Sequence, residues 1–244
     1  MFMDFFRINR FPKISKVKID MHSHIIPSID DGSKSMESSL EILEYMSKVG
    51  YKKIITTPHT MSDKYPNSTY TILRGLEGIN KALTGKNIDI KMEVASEYYM
   101  DDEFVNRLNI DDILTMGDDK YILFETSYNF KPMYFEEVVF KMISKGYRPI
   151  LAHPERYKYI LNPKKDFLRF KKLGIYLQLD INSLGGHYGK LAKKHAKILI
   201  NLGIVDFIGS DVHYKKQVSF LEKIFTTREY HKIFLKNKIL NDTL

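Results

Sequence analysis

The chain has 244 residues with a formal net charge of +8, 43% hydrophobic residues and no cysteine. This length suits one large α/β domain, and the hydrophobic content excludes a disordered chain. The lack of cysteine excludes disulfides, thiolate metal ligands and a cysteine nucleophile. Because no run of about 18 apolar residues and no secretory signal is present, the sequence predicts no membrane span and a cytoplasmic location.

Positive charge is most concentrated in residues 1–18, where five basic residues face only Asp4 and phenylalanines are interleaved. Such a segment is typical of a frayed terminus, and it is also typical of an arm that docks on a membrane surface or a protein partner. We therefore predict residues 1–17 as an N-terminal arm, with peripheral membrane contact as one role, and residues 18–244 as a single domain.

Strand-like segments alternate with amphipathic helical segments from Lys16 onward. The predicted strands are 17–21, 53–57, 90–95, 121–124, 149–152, 176–179 and 207–209. The predicted helices are 36–49, 70–83, 135–145, 164–172, 189–201 and 218–225, with Ser33 or Ser35 as the N-cap of the first and a Lys-rich tail after the last. About seven β-then-α units predict a parallel sheet closed or nearly closed into a barrel, with a doubly wound open sheet as the alternative.

Histidines and carboxylates lie at the carboxyl ends of most of these strands. In a parallel barrel all such ends lie on one face, which is where these folds place their active sites. Nine side chains are therefore expected to meet there: His22, His24, Asp31, His59, Glu97, Glu125, His153, Asp211 and His213. A mixture of imidazole and carboxylate favours Zn, Mn or Fe over an all-oxygen site for Ca or Mg.

Each of these residues alone has an ordinary structural explanation, because an Asp-Gly pair is usually a turn and a strand-end histidine usually a hydrogen-bonding group. A structural explanation of all nine would require nine coincidences, so a metal site is favoured. Nine ligands suit three divalent ions, whose +6 less the −4 of four carboxylates leaves +2 for a phosphate dianion. Ions about 3.5–4 Å apart support an in-line phosphoryl displacement. Arg156 is placed to bind the phosphate oxygens with its planar guanidinium.

The ordered motifs DMHSHIIPSIDDG, TTPH, ASEYY, LFETS, AHPERY and GSDVH closely resemble those of the polymerase-and-histidinol-phosphatase (PHP) superfamily, and within it the bacterial capsule-biosynthesis protein-tyrosine phosphatases. The resemblance covers residues 18–213. It implies a distorted seven-stranded (β/α)7 barrel of the PHP type and three divalent metal ions, Mn with Fe or Zn as alternatives. It also implies dephosphorylation of the tyrosine-rich tail of a membrane-associated tyrosine kinase that controls polysaccharide export.

The resemblance also assigns roles to residues. It groups His22, His24 and Asp211 around one ion, then Glu97, Glu125 and His153 around a second with Glu97 bridging, then Asp31, His59 and His213 around a third. Asp211 and His59 are expected to take part in catalysis, and Arg156 matches the phosphate-binding arginine of the family's HxER motif.

One segment departs from the family pattern, and two tyrosines admit two roles. Relatives carry a further arginine after the SDxH motif, whereas this chain has lysines there, so Lys215 or Lys216 is the candidate replacement without the bidentate geometry. Tyr98 and Tyr99, beside Glu97, are expected either to line the substrate mouth or to pack in the core.

Other functions stay open. The same site would suit a small phosphate ester such as histidinol phosphate. A nuclease is disfavoured because no aromatic platform with interleaved basic residues is evident, so no nucleic-acid partner is expected. A non-enzymatic alternative is a basic module that binds a phosphorylated partner without turnover. The oligomeric state is left open.

Overall fold

The structure is a computed structural model that describes residues 11–244. Its strands are β1 Ile19–Asp20, β2 Lys53–Thr56, β3 His59–Thr60, β4 Lys91–Val94, β5 Glu97–Tyr99, β6 Tyr121–Glu125, β7 Arg148–Ala152, β8 Tyr176–Asp180 and β9 Phe207–Gly209. Its α-helices are α1 Met36–Lys48, α2 Thr69–Leu83, α3 Asp102–Ile110, α4 Phe135–Ser144, α5 Pro163–Lys172, α6 Ile181–Gly185, α7 Gly189–Leu202, α8 Lys215–Phe225 and α9 Arg228–Lys236. Short 3-10 turns cover Pro154–Arg156 and Asn241–Thr243.

The strands form a curled parallel sheet. They pair in the orders β1-β2-β4 and β3-β5-β6-β7-β8-β9, and every one of these pairs is parallel. Only Thr57 and Pro58 separate β2 from β3, and only Ala95 and Ser96 separate β4 from β5, so the two sheets continue into each other. The predicted mixed α/β class with a curled parallel sheet is confirmed, whereas the seven-stranded count stays a prediction.

Successive side chains along each strand point to opposite faces of the sheet, and this alternation separates two apolar cores. On β6, Ile122 and Phe124 join the large cluster between the sheet and the helices, whereas Tyr121 and Leu123 join a smaller cluster inside the curl. Successive strand residues face opposite sides of a sheet, so Glu125 is directed to the inside as well. The smaller apolar cluster therefore fills the interior below the strand ends, and the polar residues lie above it.

The first and last strands are joined by side chains as well as by backbone. Buried Asn241 donates to the carbonyls of Ile19 and Ile208 and accepts from the Ile208 N–H, at 2.7 to 3.0 Å. The Asp20 carboxylate accepts from the backbone N–H and the hydroxyl of Ser210, at 2.9 and 2.7 Å. Farther along, the Asp211 N–H donates to the His22 carbonyl. The C-terminal Asn241 thus bridges the seam between β1 and β9.

Predicted and observed boundaries agree within three residues, with Ser35 as the N-cap of α1. The structure adds α3, α6 and α9 to the prediction. The prediction of a tail after the last predicted helix is wrong, because Arg228–Lys236 form the helix α9. Thr227 caps this helix, and its Tyr230 and Ile233 side chains are fully buried in the large core. The second predicted strand ends at Thr56, where β2 gives way to the break before β3.

The predicted arm of residues 1–17 falls partly on residues 1–10, which lie outside the described residues. Beyond them, the Phe11 ring stacks on His231 with centroids 3.7 Å apart. The Ser15 N–H donates to the Val49 carbonyl, and Val17 is buried in the large core. Residues 11–17 therefore lie against the body of the protein. None of the helices in residues 11–244 combines the length and apolar character needed to cross a bilayer.

Replacing Asn241 with Ala should lower the free energy of unfolding of the metal-free protein by about 2–4 kcal/mol, because three buried hydrogen bonds disappear and their backbone partners stay buried. Urea denaturation followed by circular dichroism measures this. Asn201→Ala, at an exposed position on α7, is the matched control and should change stability little. Equal stability of the two variants would contradict the bridging role of Asn241.

Candidate metal centre

The structure brings the nine predicted ligand residues together at the carboxyl-end edge of the sheet. Their donor atoms form four overlapping groups within reach of common metal positions. These groups are His22, His24 and Asp211; His24, Asp31, His59 and His213; His22, Glu97 and His153; and His59, Glu97 and Glu125. The first group is one of the predicted sets, and the second contains the predicted set Asp31, His59 and His213 together with His24. Glu125 and His153, which were predicted to share one ion, fall in separate groups that both contain Glu97.

Glu97 is the common centre of the cluster. Its fully buried carboxylate lies 3.2 Å from the His22 Nε2 and 3.1 Å from the His59 Nδ1 through Oε2. Through Oε1 it lies 2.8 Å from the His153 Nε2. The two oxygens thus face imidazoles contributed by three different strand ends. A carboxylate in this position is suited to bridging neighbouring metal ions.

Gln178, on β8, fixes the ring of His22. Its Oε1 accepts the backbone N–H of His153 at 3.1 Å, which establishes the orientation of the amide because a backbone N–H is always a donor. The same Oε1 lies 3.0 Å from the His22 Nδ1, so that nitrogen carries a proton. The His22 Nε2 is therefore the atom available to a metal, and it points to Glu97 and Asp211.

Asp30 fixes His24 in the same way. Its Oδ2 lies 2.8 Å from the His24 Nδ1 and also accepts the His59 backbone N–H, while Oδ1 accepts the Gly32 N–H. The His24 Nε2 then faces Asp211 at 3.2 Å. Only glycine fits at position 32, since a Cβ there would lie 2.1 Å from the His24 carbonyl oxygen.

Opposite charges set the protonation of the cluster. Burial alone would lower the pKa of His22, but the carboxylates of Glu97 and Asp211 raise it to about 9. Burial would raise the pKa of Glu97, yet the facing histidines His22 and His59 hold it well below its ordinary range. Burial and repulsion by Glu97 raise the pKa of Glu125 well above its ordinary value. Protons thus balance the carboxylates where no other cation is bound, and metal binding would displace them.

The donor set fits divalent transition metals. Imidazole nitrogens and carboxylate oxygens are the ligands that Mn, Fe and Zn accept, and each group contains both. The buried Nδ1 of His59 has no hydrogen-bond partner among the described residues although it lies near Glu97 and Glu125, a geometry suited to an ion held between them. These groups could therefore hold the metal ions that the sequence predicts.

Arg156 lies beside the cluster, in the turn after β7. Its guanidinium contacts the carboxylates of Asp180 and Asp211, and it packs on the face of Tyr188 with 3.6 Å between the guanidinium carbon and the ring centroid. The side chain is 9% exposed, and its buried Nε has no partner among residues 11–244. A fixed, planar cation with a spare donor is thus held next to a predicted metal ligand.

Backbone strain occurs at two of the predicted ligands. His153 has φ 33° and Asp211 has φ 48°, in the left-handed region that non-glycine residues seldom adopt. Such conformations cost about 1–3 kcal/mol each and persist where the surrounding structure enforces them. In these conformations His153 directs its Nε2 to Glu97, and Asp211 directs its carboxylate to His22 and His24.

A cavity of about 320 Å³ opens above the cluster. Its lining includes predicted ligands, Arg156 and four residues that the sequence analysis did not identify, namely Tyr128, Tyr188, Tyr214 and Gln217. Asp180, Asp30 and Gln178 were also missed. Asp180 ends β8, so the strand-end rule could have found it, and Asp30 adjoins the predicted ligand Asp31, whereas no local sequence signal marks Gln178.

Two predicted substrate-binding residues lie elsewhere. The prediction that Tyr98 lines the mouth is wrong, because its buried ring stacks on Phe104 and its hydroxyl accepts the Leu114 N–H. Core packing, the other interpretation, is the correct one. Lys215 does not line the cavity but pairs with Glu41 at 3.3 Å, so its role as a substitute for the second arginine stays a prediction.

Comparisons with known proteins agree with this architecture. The family described as capsular polysaccharide synthesis, CpsB/CapC, matches residues 18–239. The tyrosine-protein phosphatase YwqE of Bacillus subtilis (strain 168) is 30% identical over 202 residues, covering 83% of this chain and 80% of YwqE. The tyrosine-protein phosphatase CpsB of Streptococcus pneumoniae is 25% identical over 241 residues, covering 93% and 99%. A crystal structure from work on YwqE and CpsB, described as metal-dependent tyrosine phosphatases, superposes with a TM-score of 0.76 at 27% identity, covering 89% of this chain and 91% of its own.

Replacing Asp30 with Asn should weaken Mn²⁺ binding about 10- to 100-fold, because an amide cannot accept from the His24 ring and both facing backbone N–H groups at once. Competition with a fluorescent chelator measures this affinity without any substrate. Asp63→Asn, at an exposed position, serves as the control and should bind Mn²⁺ normally. Undiminished affinity in Asp30→Asn would contradict the positioning role.

Proposed function

Because this chain belongs to the CpsB/CapC family of capsular polysaccharide synthesis, we propose that it is a metal-dependent tyrosine phosphatase that hydrolyses phosphotyrosine in proteins. One observation carries this proposal: four overlapping His and carboxylate groups, two of which share Glu97, lie beneath a cavity that Arg156 also lines. A site that concentrates both metal ligands and a fixed guanidinium is suited to a phosphate dianion.

We propose three divalent ions, with Mn as the preferred metal and Fe or Zn as alternatives. His22, His24 and Asp211 would hold the first ion, Glu97, Glu125 and His153 the second, and Asp31, His59 and His213 the third. Four carboxylates in this volume support a site that needs several cations, since one divalent ion would leave it net negative and repel phosphate.

When bound, such ions activate water for attack on phosphorus and stabilise charge on the phosphoryl oxygens. The residues of the chain orient the substrate. Arg156, held by Asp180 and stacked on Tyr188, offers guanidinium N–H groups to the phosphoryl oxygens. Tyrosinate has a pKa of about 10 and leaves without strong general-acid help. As predicted ligands, His59 and Asp211 would fix the positions of the ions relative to the bound phosphate.

The cavity walls favour an aromatic leaving group. Tyr128, Tyr188 and Tyr214 come from three different loops and line the cavity above its polar floor. Tyrosine rings supply apolar faces for packing against a substrate ring while their hydroxyls stay near water. This arrangement supports an aryl phosphate over a small aliphatic one such as histidinol phosphate.

We also propose that the curled sheet is a distorted seven-stranded (β/α)7 barrel. Counting β2 with β3 and β4 with β5 as single interrupted strands gives seven. The backbone bond from the His24 N–H to the Val212 carbonyl and the bridge between Ser23 and Val212 support closure between the first and last strands.

The wider setting is part of the same proposal. The phosphotyrosine-bearing partner is a membrane-associated tyrosine kinase of polysaccharide export, so the enzyme would act in the cytoplasm at the inner face of the membrane. Residues 1–17 are the segment proposed for peripheral membrane contact, and no nucleic-acid partner is expected. The charge of +8 supports attraction to acidic partners.

Removal of metal should abolish hydrolysis of a phosphotyrosine peptide, because the ions neutralise the carboxylates beneath the substrate. Dialysis against a chelator followed by Mn²⁺ addition should restore the activity, as measured by phosphate release. Histidinol phosphate is the comparison substrate and should be turned over far more slowly. Faster turnover of histidinol phosphate would show that the substrate is a small phosphate ester and not a protein. Undiminished activity of the metal-free protein would refute the metal site.

Arg156→Lys should lower kcat/KM for a phosphotyrosine peptide about 10- to 100-fold, since lysine keeps the charge but loses the planar pair of donors. Steady-state kinetics at saturating Mn²⁺ measure the effect. Arg148→Lys, an exposed position at the opposite strand end, is the matched control and should retain full activity. Wild-type kinetics in Arg156→Lys would show that Arg156 does not bind the phosphate.

A further inference from the structure

A basic and apolar surface lies beside the cavity mouth and has no role in the site described so far. It is formed by residues 126–134, which follow β6, and residues 157–165, which follow β7 and begin α5. We call it the mouth surface. Its two segments contain Lys131, Lys158, Lys164 and Lys165 and no aspartate or glutamate, a net charge of +4.

Large apolar side chains protrude from the same surface. Phe130 is 66% exposed, Met133 101% and Leu161 88%. Single exposed apolar residues are ordinary, but three in two adjacent segments that also concentrate lysines form a surface typical of interaction sites. The mouth surface can therefore supply both apolar and electrostatic contacts.

The mouth surface is continuous with the catalytic cavity. Tyr128 lines that cavity, and its carbonyl accepts the Lys158 N–H at 2.7 Å. The hydroxyl of Thr126, next to Glu125, lies 2.8 Å from the Tyr159 hydroxyl. A chain that places its phosphate beside Arg156 can therefore reach these residues as it leaves the cavity.

A second cavity lies between the mouth surface and the adjoining part of α5. It measures about 220 Å³ and is lined by Lys131, Tyr159, Ile160, Asp166, Arg169 and Phe170. Lys131 and Arg169 share the carboxylate of Glu136, at 3.2 and 2.6 Å, and Asp166 also lines the cavity, so the lining combines charges of both signs with apolar side chains. Its size and mixed lining suit one side chain of an extended peptide.

We propose that the mouth surface binds the residues that flank the phosphotyrosine, an inference that rests on the proposed function. These flanking residues are acidic. The occupant is a peptide segment with carboxylates near the phosphate and an apolar or aromatic side chain for the second cavity. An acidic segment is favoured because only Lys131, of the four lysines, has an ion-pair partner among the described residues, and the other three repel a basic segment. A peptide is favoured over a membrane because the second cavity is concave and adjoins the cavity that holds the phosphate.

The test compares two phosphotyrosine peptides of equal length, one flanked by glutamates and one by lysines, with p-nitrophenyl phosphate as a substrate that reaches only the metal centre. The wild-type enzyme with Mn²⁺ should prefer the acidic peptide by about tenfold in kcat/KM at low salt, and less at high salt. Lys158→Glu/Lys164→Glu should remove this preference. Glutamate suits the first turn of α5, so folding should be preserved.

The matched control is Lys86→Glu/Lys120→Glu, two exposed lysines that precede β4 and β6 at the opposite edge of the sheet. It makes the same change in net charge and should keep the preference. Loss of the preference in both variants would show that total charge is responsible and would overturn the proposal. Equal kcat/KM of the wild-type enzyme for both peptides would overturn it as well, while leaving the proposed phosphatase activity intact.

A membrane is the competing occupant. If wild-type protein sediments with vesicles of phosphatidylserine, Lys158→Glu/Lys164→Glu does not, and the peptides are hydrolysed equally, the mouth surface is a lipid-binding surface and the peptide proposal is wrong. Absence of hydrolysis of p-nitrophenyl phosphate and of both peptides would instead refute the proposed function, and the peptide surface with it.

Discussion

The buried negative charge of Glu97 constrains everything around it. A carboxylate without solvent is stable only if cations or hydrogen-bond donors surround it on every side. Imidazoles from the ends of β1, β7 and the segment around β3 face its two oxygens, and Arg156 balances neighbouring Asp211. The curl of the sheet is what allows strands so far apart in sequence to supply these groups, so the shape of the fold and the charge balance of the site depend on each other.

The residues in direct contact with this charge were predictable, and the reason is geometric. In parallel strands the carboxyl ends share one edge, so a strand-end His or Glu is placed by the local sequence alone. The same rule applies to Asp180 at the end of β8, which was overlooked. Gln178 is different, because its contact with His22 joins residues 156 positions apart and no local pattern encodes it. Tyr98 was predicted wrongly for a geometric reason as well. It follows Glu97 directly in β5, so its side chain lies on the opposite face of the strand and is buried in the core.

The fold was predictable to a similar depth. Hydrophobic alternation located the strands, and the observed α/β order follows it. The breaks at Thr57-Pro58 and Ala95-Ser96 were not expected, because a deviation from regular pairing arises from the curl of the whole sheet and not from the residues themselves. The helix α9 was missed for a related reason: its lysines suggest a solvated tail, and only the packing of Tyr230 and Ile233 against distant elements makes it part of the core.

The bridging position of Asn241 has a consequence for how the protein is made. A growing polypeptide emerges from the ribosome in chain order, and the Asn241 side chain that joins the first strand to the last lies 222 positions after Ile19. His22 and His24 are translated early, yet they gain their neighbour Asp211 only when β9 has docked beside β1. The metal centre therefore assembles only after β9 has been translated, and a chain stalled before β9 carries ligands that have not yet converged.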